Sequence, residues 1–280
     1  MTDSAQKQKA TTLLSLHGGG RMLILPNVWD PIGARILQAK GYRAVATASA
    51  AISTSLGYRD GERIKRSTLI DVIGRIARSV VVPVTADIEA GYAKSISELE
   101  ETIRAVIASG VVGVNIEDGL KGGNMRPVEE QCARIATVRA CAAREGLHLV
   151  INARIDSYES GAFADPADAT EDAVARATAY AIAGADCVYP IGPGDEATVR
   201  LLRERIAAPI NILGSPTAAP LPVLQSIGIN RVSFGPFVLR ALLRRFEEIA
   251  DALIKHNDTS GMRDMLSRAE AGGYLADGPE

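Results

Sequence analysis

Residues 81–118 read VVPVTADIEAGYAKSISELEETIRAVIASGVVGVNIED. A β-branched run, a turn bearing Asp, Glu and Gly, a segment of helical periodicity and a second β-branched run follow one another. That succession is one strand-helix-strand unit, and it recurs along the chain. Candidate strands are MLILPN, AVATAS, VVPVTAD, VGVNIE, LVINAR, DCVYPI, PINIL and RVSFG. Helical stretches such as PIGARILQAK, TLIDVIGRIARSV, ISELEETIRAVIASG, VEEQCARIATVRACAARE, ATEDAVARATAYAIAG and DEATVRLLRERI separate them. Alternation of this kind gives parallel strands with right-handed crossovers, and eight units over about 250 residues is the size of a closed barrel. The expected fold is therefore α/β, a (β/α)8 TIM barrel, with a doubly wound sheet as the alternative. No Pro/Ser-rich linker, low-complexity tract or charge run divides the chain. Residues 1–280 read as one barrel domain, with about 246–280 continuing as a C-terminal helical extension that docks on a neighbouring subunit or on its own barrel.

A chain of 280 residues that is 47% hydrophobic can bury a large core. Its net charge of -2 provides no basic field for nucleic acid or an anionic membrane, so a small molecule is the expected partner. The N-terminal MTDSAQKQKA lacks the apolar core of a secretion signal, and no run approaches the roughly 18 apolar residues of a membrane span. A cytoplasmic location is expected. Cys132, Cys141 and Cys187 show no zinc-type spacing and read as reduced, structural thiols. His17, His148 and His256 are scattered, which gives no support to a His-based triad or a zinc site.

Asp87 and Glu89 stand where an apolar strand ends. Helix starts favour acids, but Ser97 with Glu100 three residues later offers a capping box, which predicts a helix start near Ser97 and leaves DIEAGYAK as a loop. In an extended VPVTADIE, Thr85, Asp87 and Glu89 share one face and Val84, Ala86 and Ile88 the other. The same alternation groups Asn115 with Glu117, Asn152 with Arg154, and Thr47 with Ser49. Four successive strands thus end in inward polar residues, on the face where barrels carry their chemistry.

Buried carboxylates need a partner or a cation. Oxygen ligands without a histidine cluster describe a hard-cation site, so Mg2+, with Mn2+ as substitute, is the expected cofactor at Asp87, Glu89 and Glu117. One direct ligand suffices for Mg2+, the other acids gripping its waters. Arg154 offers a planar fork to a substrate carboxylate, or an internal ion pair with Asp156 or Glu117. Ser49, among the small residues of TASAA, lets backbone N–H groups approach an anion. Lysines 7, 9, 40, 65, 94, 121 and 255 lie outside the candidate strands, which disfavours Schiff-base chemistry. The GGG at Gly18 and GPGD at Gly192 match no phosphate-binding fingerprint.

From LPNVWDPIGARIL to about VSFGP the chain resembles the isocitrate lyase / phosphoenolpyruvate mutase superfamily, through ATASAAISTSLGYRDG, ADIEAGY, GVNIED and NARID. The resemblance implies a (β/α)8 barrel with its last helix exchanged between subunits, giving a homodimer or homotetramer, and Mg2+-dependent chemistry beside an enolate. It implies that Ser49, Ala50 and Ala51 hold a substrate carboxylate together with Arg154. It also places Asp60 near the metal, makes Asp87 the direct ligand, and has Glu89 and Glu117 act through waters. The lyase Cys-Gly-His loop is replaced by Gly122, Gly123 and Asn124, with Asn124 left as a substrate contact. The Phe-Pro-Lys pattern of the mutases and phosphonopyruvate hydrolases is absent too. Tyr189 and Pro190 stand where some relatives place a histidine or glutamate.

The expected function is a Mg2+-dependent lyase that cleaves a C–C bond of a small 2-oxo or 2-hydroxy dicarboxylic acid, with Asp60, Arg154 and Glu117 in catalytic roles. The alternatives are a P–C bond mutase or hydrolase of the phosphonopyruvate type, and a non-catalytic 2-oxo acid binding protein.

Overall fold

The computed structural model describes residues 2–18, 20–120 and 122–275. Gly19 of the glycine run, Lys121 after the Glu117-Asp118 pair and residues 276–280 of the expected extension lie outside the described residues.

Parallel strands form a cyclic order. β2 (Asn27–Val28), β3 (Val45–Thr47), β4 (Val84–Asp87), β5 (Gly113–Glu117), β6 (Val150–Ile155) and β7 (Cys187–Pro190) make one sheet. β1 (Leu23–Leu25), β9 (Arg231–Ser233) and β8 (Asn211–Leu213) make the other, in that order. Two seams join them. On one side β1 runs into β2 across Pro26, which has no N–H for a ladder and so divides the expected first strand in two. On the other, Val188 bridges Ile210 in parallel, and its N–H donates to the Pro209 carbonyl at 2.9 Å. The result is a (β/α)8 barrel, with α2 (Pro31–Ala39), α4 (Arg66–Arg78), α5 (Ile96–Ala108), α6 (Val128–Arg144), α7 (Pro166–Ile182), α8 (Glu196–Arg205) and α9 (Leu221–Ile227) between its strands. Branched residues such as Val45, Val84, Val114, Ile151, Val188 and Val232 are buried in its core.

Several local details differ from the sequence reading. The strand at 81–87 begins only at Val84, and Val81 before it is exposed. α5 starts at Ile96, capped by Ser95, whose side chain accepts from the Glu98 N–H at 3.2 Å; Ser97 is already helical. β3 stops at Thr47, and Ser49 opens a short helix, α3 (Ser49–Ser55), instead of ending a strand. The C-terminal α10 spans Phe237–His256, so residue 246 falls in mid-helix. It ends at Asn257, whose left-handed backbone, φ 50°, is a common helix stop. A 3-10 turn (Ser260–Met262) and α11 (Arg268–Gly272) follow instead of continuous helix.

The N-terminal residues, read as merely polar, form α1 (Ser4–Gly18), which packs under the barrel. Its start is capped by Asp3, which accepts from the Gln6 N–H at 2.6 Å. Leu13 is fully buried against β5, where a Cβ on Gly113 would lie 2.7 Å from Leu13 Cδ2, so that strand position has room for glycine alone.

His17 is also buried; its Nδ1 is 2.9 Å from the Leu13 carbonyl, and burial holds its pKa down at about 4. Unfolded histidine takes up a proton below about 6.5, whereas folded His17 resists until about 4. Between those values the unfolded state binds more protons, so stability falls as pH falls through that window, by up to about 3 kcal/mol from this residue. Denaturant midpoints measured from pH 7.5 to pH 4 are expected to show a shallower acid slope for His17→Leu than for the parent. An identical slope would remove His17 as a cause.

Candidate active site

The carboxyl ends of β3 to β7 bring the candidate residues to one end of the barrel. Strand register does part of this: Asp87 lies beside Asn115, Glu117 beside Arg154, and Arg154 beside Tyr189. Below them, Asn115 Oδ1 accepts from Asn152 Nδ2 at 2.9 Å and from Arg231 Nη2 at 3.1 Å, which makes a fully buried polar floor.

Asp87 is held from three sides. The Ser49 N–H and hydroxyl donate to its Oδ2 at 3.1 and 2.8 Å, and the Glu89 N–H to its Oδ1 at 3.3 Å. Its own N–H donates to Thr47 Oγ1 at 3.1 Å. Ser49 is thus committed to Asp87 as the first residue of α3, and the N–H groups of Ala50 and Ala51 follow in the first turn, where a helix offers no internal acceptor. Asp60 stands on the exposed run after α3. Partial desolvation, then the charge of Asp87, raise its pKa, and the Gly61 backbone and the charge of Arg154 work against them.

Arg154 is clamped. Its Nη1 meets Glu117 Oε2 at 2.9 Å, while Nε and Nη2 donate to Asp156 Oδ1 at 2.9 and 2.6 Å. Burial works against its charge, but Glu117 and Asp156 outweigh burial and keep the guanidinium protonated. Desolvation drives the pKa of Glu117 well up; Arg154 opposes this, and Asp156, Asp87 and Glu89 add to it. Glu89, 2% exposed, is pushed to about 7, chiefly by burial, with Asp60 and Asp87 adding to it and the Tyr92 hydroxyl opposing. It arrives here by a left-handed turn, φ 52°, after β4 has ended at Asp87, and not by strand alternation.

Carboxylates that raise one another's pKa at one place form a site short of positive charge. Among the described residues no group of three or more His, Cys, Asp or Glu side chains is disposed to ligate an ion directly. Direct chelation by three carboxylates therefore does not fit, whereas one carboxylate ligand with the rest reaching through water does, and that is the habit of Mg2+.

A cavity of about 550 Å³ opens beside Glu89, Glu117 and Arg154, with Asn124 and Gly123 from the loop after β5 on its far wall. That loop is a tight hairpin in which the Leu120 N–H donates to the Asn124 carbonyl at 2.7 Å. Asp118, fully buried, anchors it: Oδ1 accepts from the Asp156 N–H at 2.9 Å, and Oδ2 from the Tyr180 hydroxyl at 2.6 Å and Arg176 Nη1 at 3.1 Å. Asp156 Oδ2 in turn accepts from the Gly119 N–H at 3.0 Å. Sequence reasoning left Glu62, Tyr92, Asp118, Arg176 and Tyr180 without roles. Arg176 and Tyr180, four apart on the buried face of α7, were the available signal. Tyr189 lies buried beside Arg154; its phenol is pushed up by burial, against the pull of Arg154.

A barrel with clustered carboxylates and a braced arginine at the carboxyl ends of its strands has the layout of enzymes that act on small anionic molecules. The chain belongs to the family described as phosphoenolpyruvate phosphomutase, whose match runs over residues 13–254. It is 31% identical over 221 residues to the uncharacterised protein Rv1998c of Mycobacterium tuberculosis, covering 79% of this chain and 80% of that one. It is 24% identical over 280 residues to 2-methylisocitrate lyase of Bacillus subtilis, covering 95% of this chain and 89% of that one. A solved structure of a proposed lyase/mutase from Burkholderia cenocepacia J2315 superposes with a TM-score of 0.90 at 28% identity over 97% of each chain.

Proposed function

We propose that the chain is a divalent-metal-dependent lyase of small 2-oxo or 2-hydroxy dicarboxylic acids, cleaving a C–C bond by carboxylate loss or retro-aldol cleavage. The observation that carries this reading is Arg154, fixed between Glu117 and Asp156 beside a carboxylate cluster that lacks compensating charge. Arg154 turns its remaining donors to the substrate carboxylate, and the N–H groups of Ala50 and Ala51 receive it from the other side. Ser49 positions Asp87. Asp60 stands at the reacting end, and Asn124 reaches the substrate from the hairpin. Asp87 would hold Mg2+, or Mn2+ in its place, with Glu89 and Glu117 reaching it through water, and the ion would supply positive charge where negative charge develops on the keto oxygen.

The test is turnover of oxaloacetate, substituted malates, methylisocitrate and phosphonopyruvate with and without Mg2+. Metal-dependent cleavage of a dicarboxylate supports the proposal, and inertness toward all of them sinks it. The family match favours a second reading, a P–C bond mutase or hydrolase, for which phosphonopyruvate alone would be consumed. Binding without product would mark a non-catalytic 2-oxo acid binding protein.

For Arg154→Lys an ammonium can satisfy one of the two acids but not reproduce the fork. The expected result is a KM raised roughly tenfold or more, since a bidentate contact is worth about 1.5–3 kcal/mol. An unchanged KM would take Arg154 out of the substrate's reach.

α10 carries an exposed apolar stripe with Leu242, Leu243, Phe246, Leu253 and Ile254, and only Leu239 of that helix is buried. This supports exchange of α10 between subunits in a homodimer or homotetramer. Light scattering of Phe246→Glu is expected to show a smaller particle than the parent; equal masses would end that reading. Among the described residues no helix is long and apolar enough to cross a membrane. The free thiols Cys132, Cys141 and Cys187 support a cytoplasmic setting.

A further inference from the structure

Four non-glycine residues among those described have a left-handed backbone: Glu62, Glu89, Tyr92 and Asn257. Asn257 ends a helix, but the other three are bonded to one another at the mouth of the barrel. The Glu62 N–H donates to Glu89 Oε2. The Tyr92 N–H donates to Glu62 Oε1 at 2.7 Å, and the Tyr92 hydroxyl to Glu89 Oε1 at 2.7 Å. Each such backbone is strained for a residue with a side chain and persists only where the surroundings fix it. Three in one closed circuit of hydrogen bonds mark a place built to hold one arrangement.

The two sides of that circuit differ in rigidity. Residues 88–93 are fixed from beneath: the Ile88 N–H donates to the Asn115 carbonyl at 3.2 Å, the Glu117 N–H to the Glu89 carbonyl at 3.0 Å, and fully buried Arg134 holds the Ala90 carbonyl. Residues 54–60 opposite are exposed, Tyr58 and Leu56 included, and carry Asp60. Glu62 is where this exposed run meets the rigid one. Glu89 Oε2 takes the Glu62 N–H, while its Oε1 takes the Tyr92 hydroxyl.

We propose that Glu62, Glu89 and Tyr92 form a latch that holds residues 57–63, and Asp60 with them, across the mouth of the barrel, Glu62 and Tyr92 acting as positioning residues. The latch rests on the proposed reading of that mouth as the active site only for its purpose; its mechanics are independent. Glu89 needs the length of a glutamate here, because it must reach past its own turn to the Glu62 N–H.

Trypsin tests this on the native protein, since Arg59 and Arg63 are exposed and flank the latch point. Cleavage after these two residues, read by mass spectrometry relative to cleavage at other lysines and arginines, is expected to rise about tenfold in Glu62→Ala and in Tyr92→Phe. Glu62→Gln, which keeps the acceptor for the Tyr92 N–H, is expected to stay within about twofold of the parent. Unchanged cleavage in both disrupting variants would overturn the latch, and so would a rise shared equally by all sites. The readout needs no substrate, so an inactive protein would refute the proposed reaction and leave the latch to be judged by proteolysis alone.

Discussion

Asp87→Ala is expected to lower turnover by roughly 10³-fold and to weaken Mn2+ binding, read by electron paramagnetic resonance, while the protein stays folded. Function suffers because three hydrogen bonds aim Asp87, from the Ser49 N–H, the Ser49 hydroxyl and the Glu89 N–H. Stability is spared for two reasons. Removing its charge relieves Asp60, Glu89 and Glu117, all of which it disfavours in the ionised form. The Ser49 hydroxyl, released from Asp87, is free to turn its proton to the neighbouring Asp60 carboxylate. The net change in unfolding free energy should be within about 1 kcal/mol. A variant that unfolds would show Asp87 to be a structural strut, and one that binds Mn2+ as the parent does would move the metal elsewhere.

The second large effect is on stability. Asp118→Ala is expected to cost roughly 3–5 kcal/mol in guanidinium unfolding, a large part of a typical domain's 5–15 kcal/mol. It would leave the buried Tyr180 hydroxyl and Asp156 N–H without their acceptor, and Arg176 with Asp172 as its one remaining acid. Arg176→Met alone leaves Asp118 charged and short of a donor, so it too should be costly. The double variant Asp118→Ala, Arg176→Met should cost clearly less than the two singles added, as coupled partners do. A loss under about 1 kcal/mol for Asp118→Ala would show that water replaces it and that the hairpin after β5 stands without it.

The fold was legible because strand-helix alternation is set by local periodicity, and VVPVTAD, VGVNIE and LVINAR each carry it without help from distant residues. Inward alternation was equally legible where strands are regular, which is why Asn115, Glu117, Asn152 and Arg154 arrive together at one end. It failed where regularity fails. Glu89 lies beyond the last residue of β4 and is turned in by a left-handed backbone, and Ser49 begins a helix that its small, β-branched neighbours do not announce. α1 was missed because its burial depends on the open underside of a barrel that only the whole chain creates. Asp118 shows the same limit: nothing in Glu-Asp distinguishes the residue that faces the cavity from the one buried against α7. Partners such as Tyr180, 62 positions away, exist only once crossovers have closed.

Leu239, on the first turn of α10, packs with Ala48 and Ala51, the two residues that flank Ser49 and Ala50, and with Trp29. Should the remainder of α10 be gripped by a neighbouring copy, that grip would reach the cradle through Leu239. Specific activity would then decline on dilution, with a lag on reconcentration, even though every reacting group belongs to one chain.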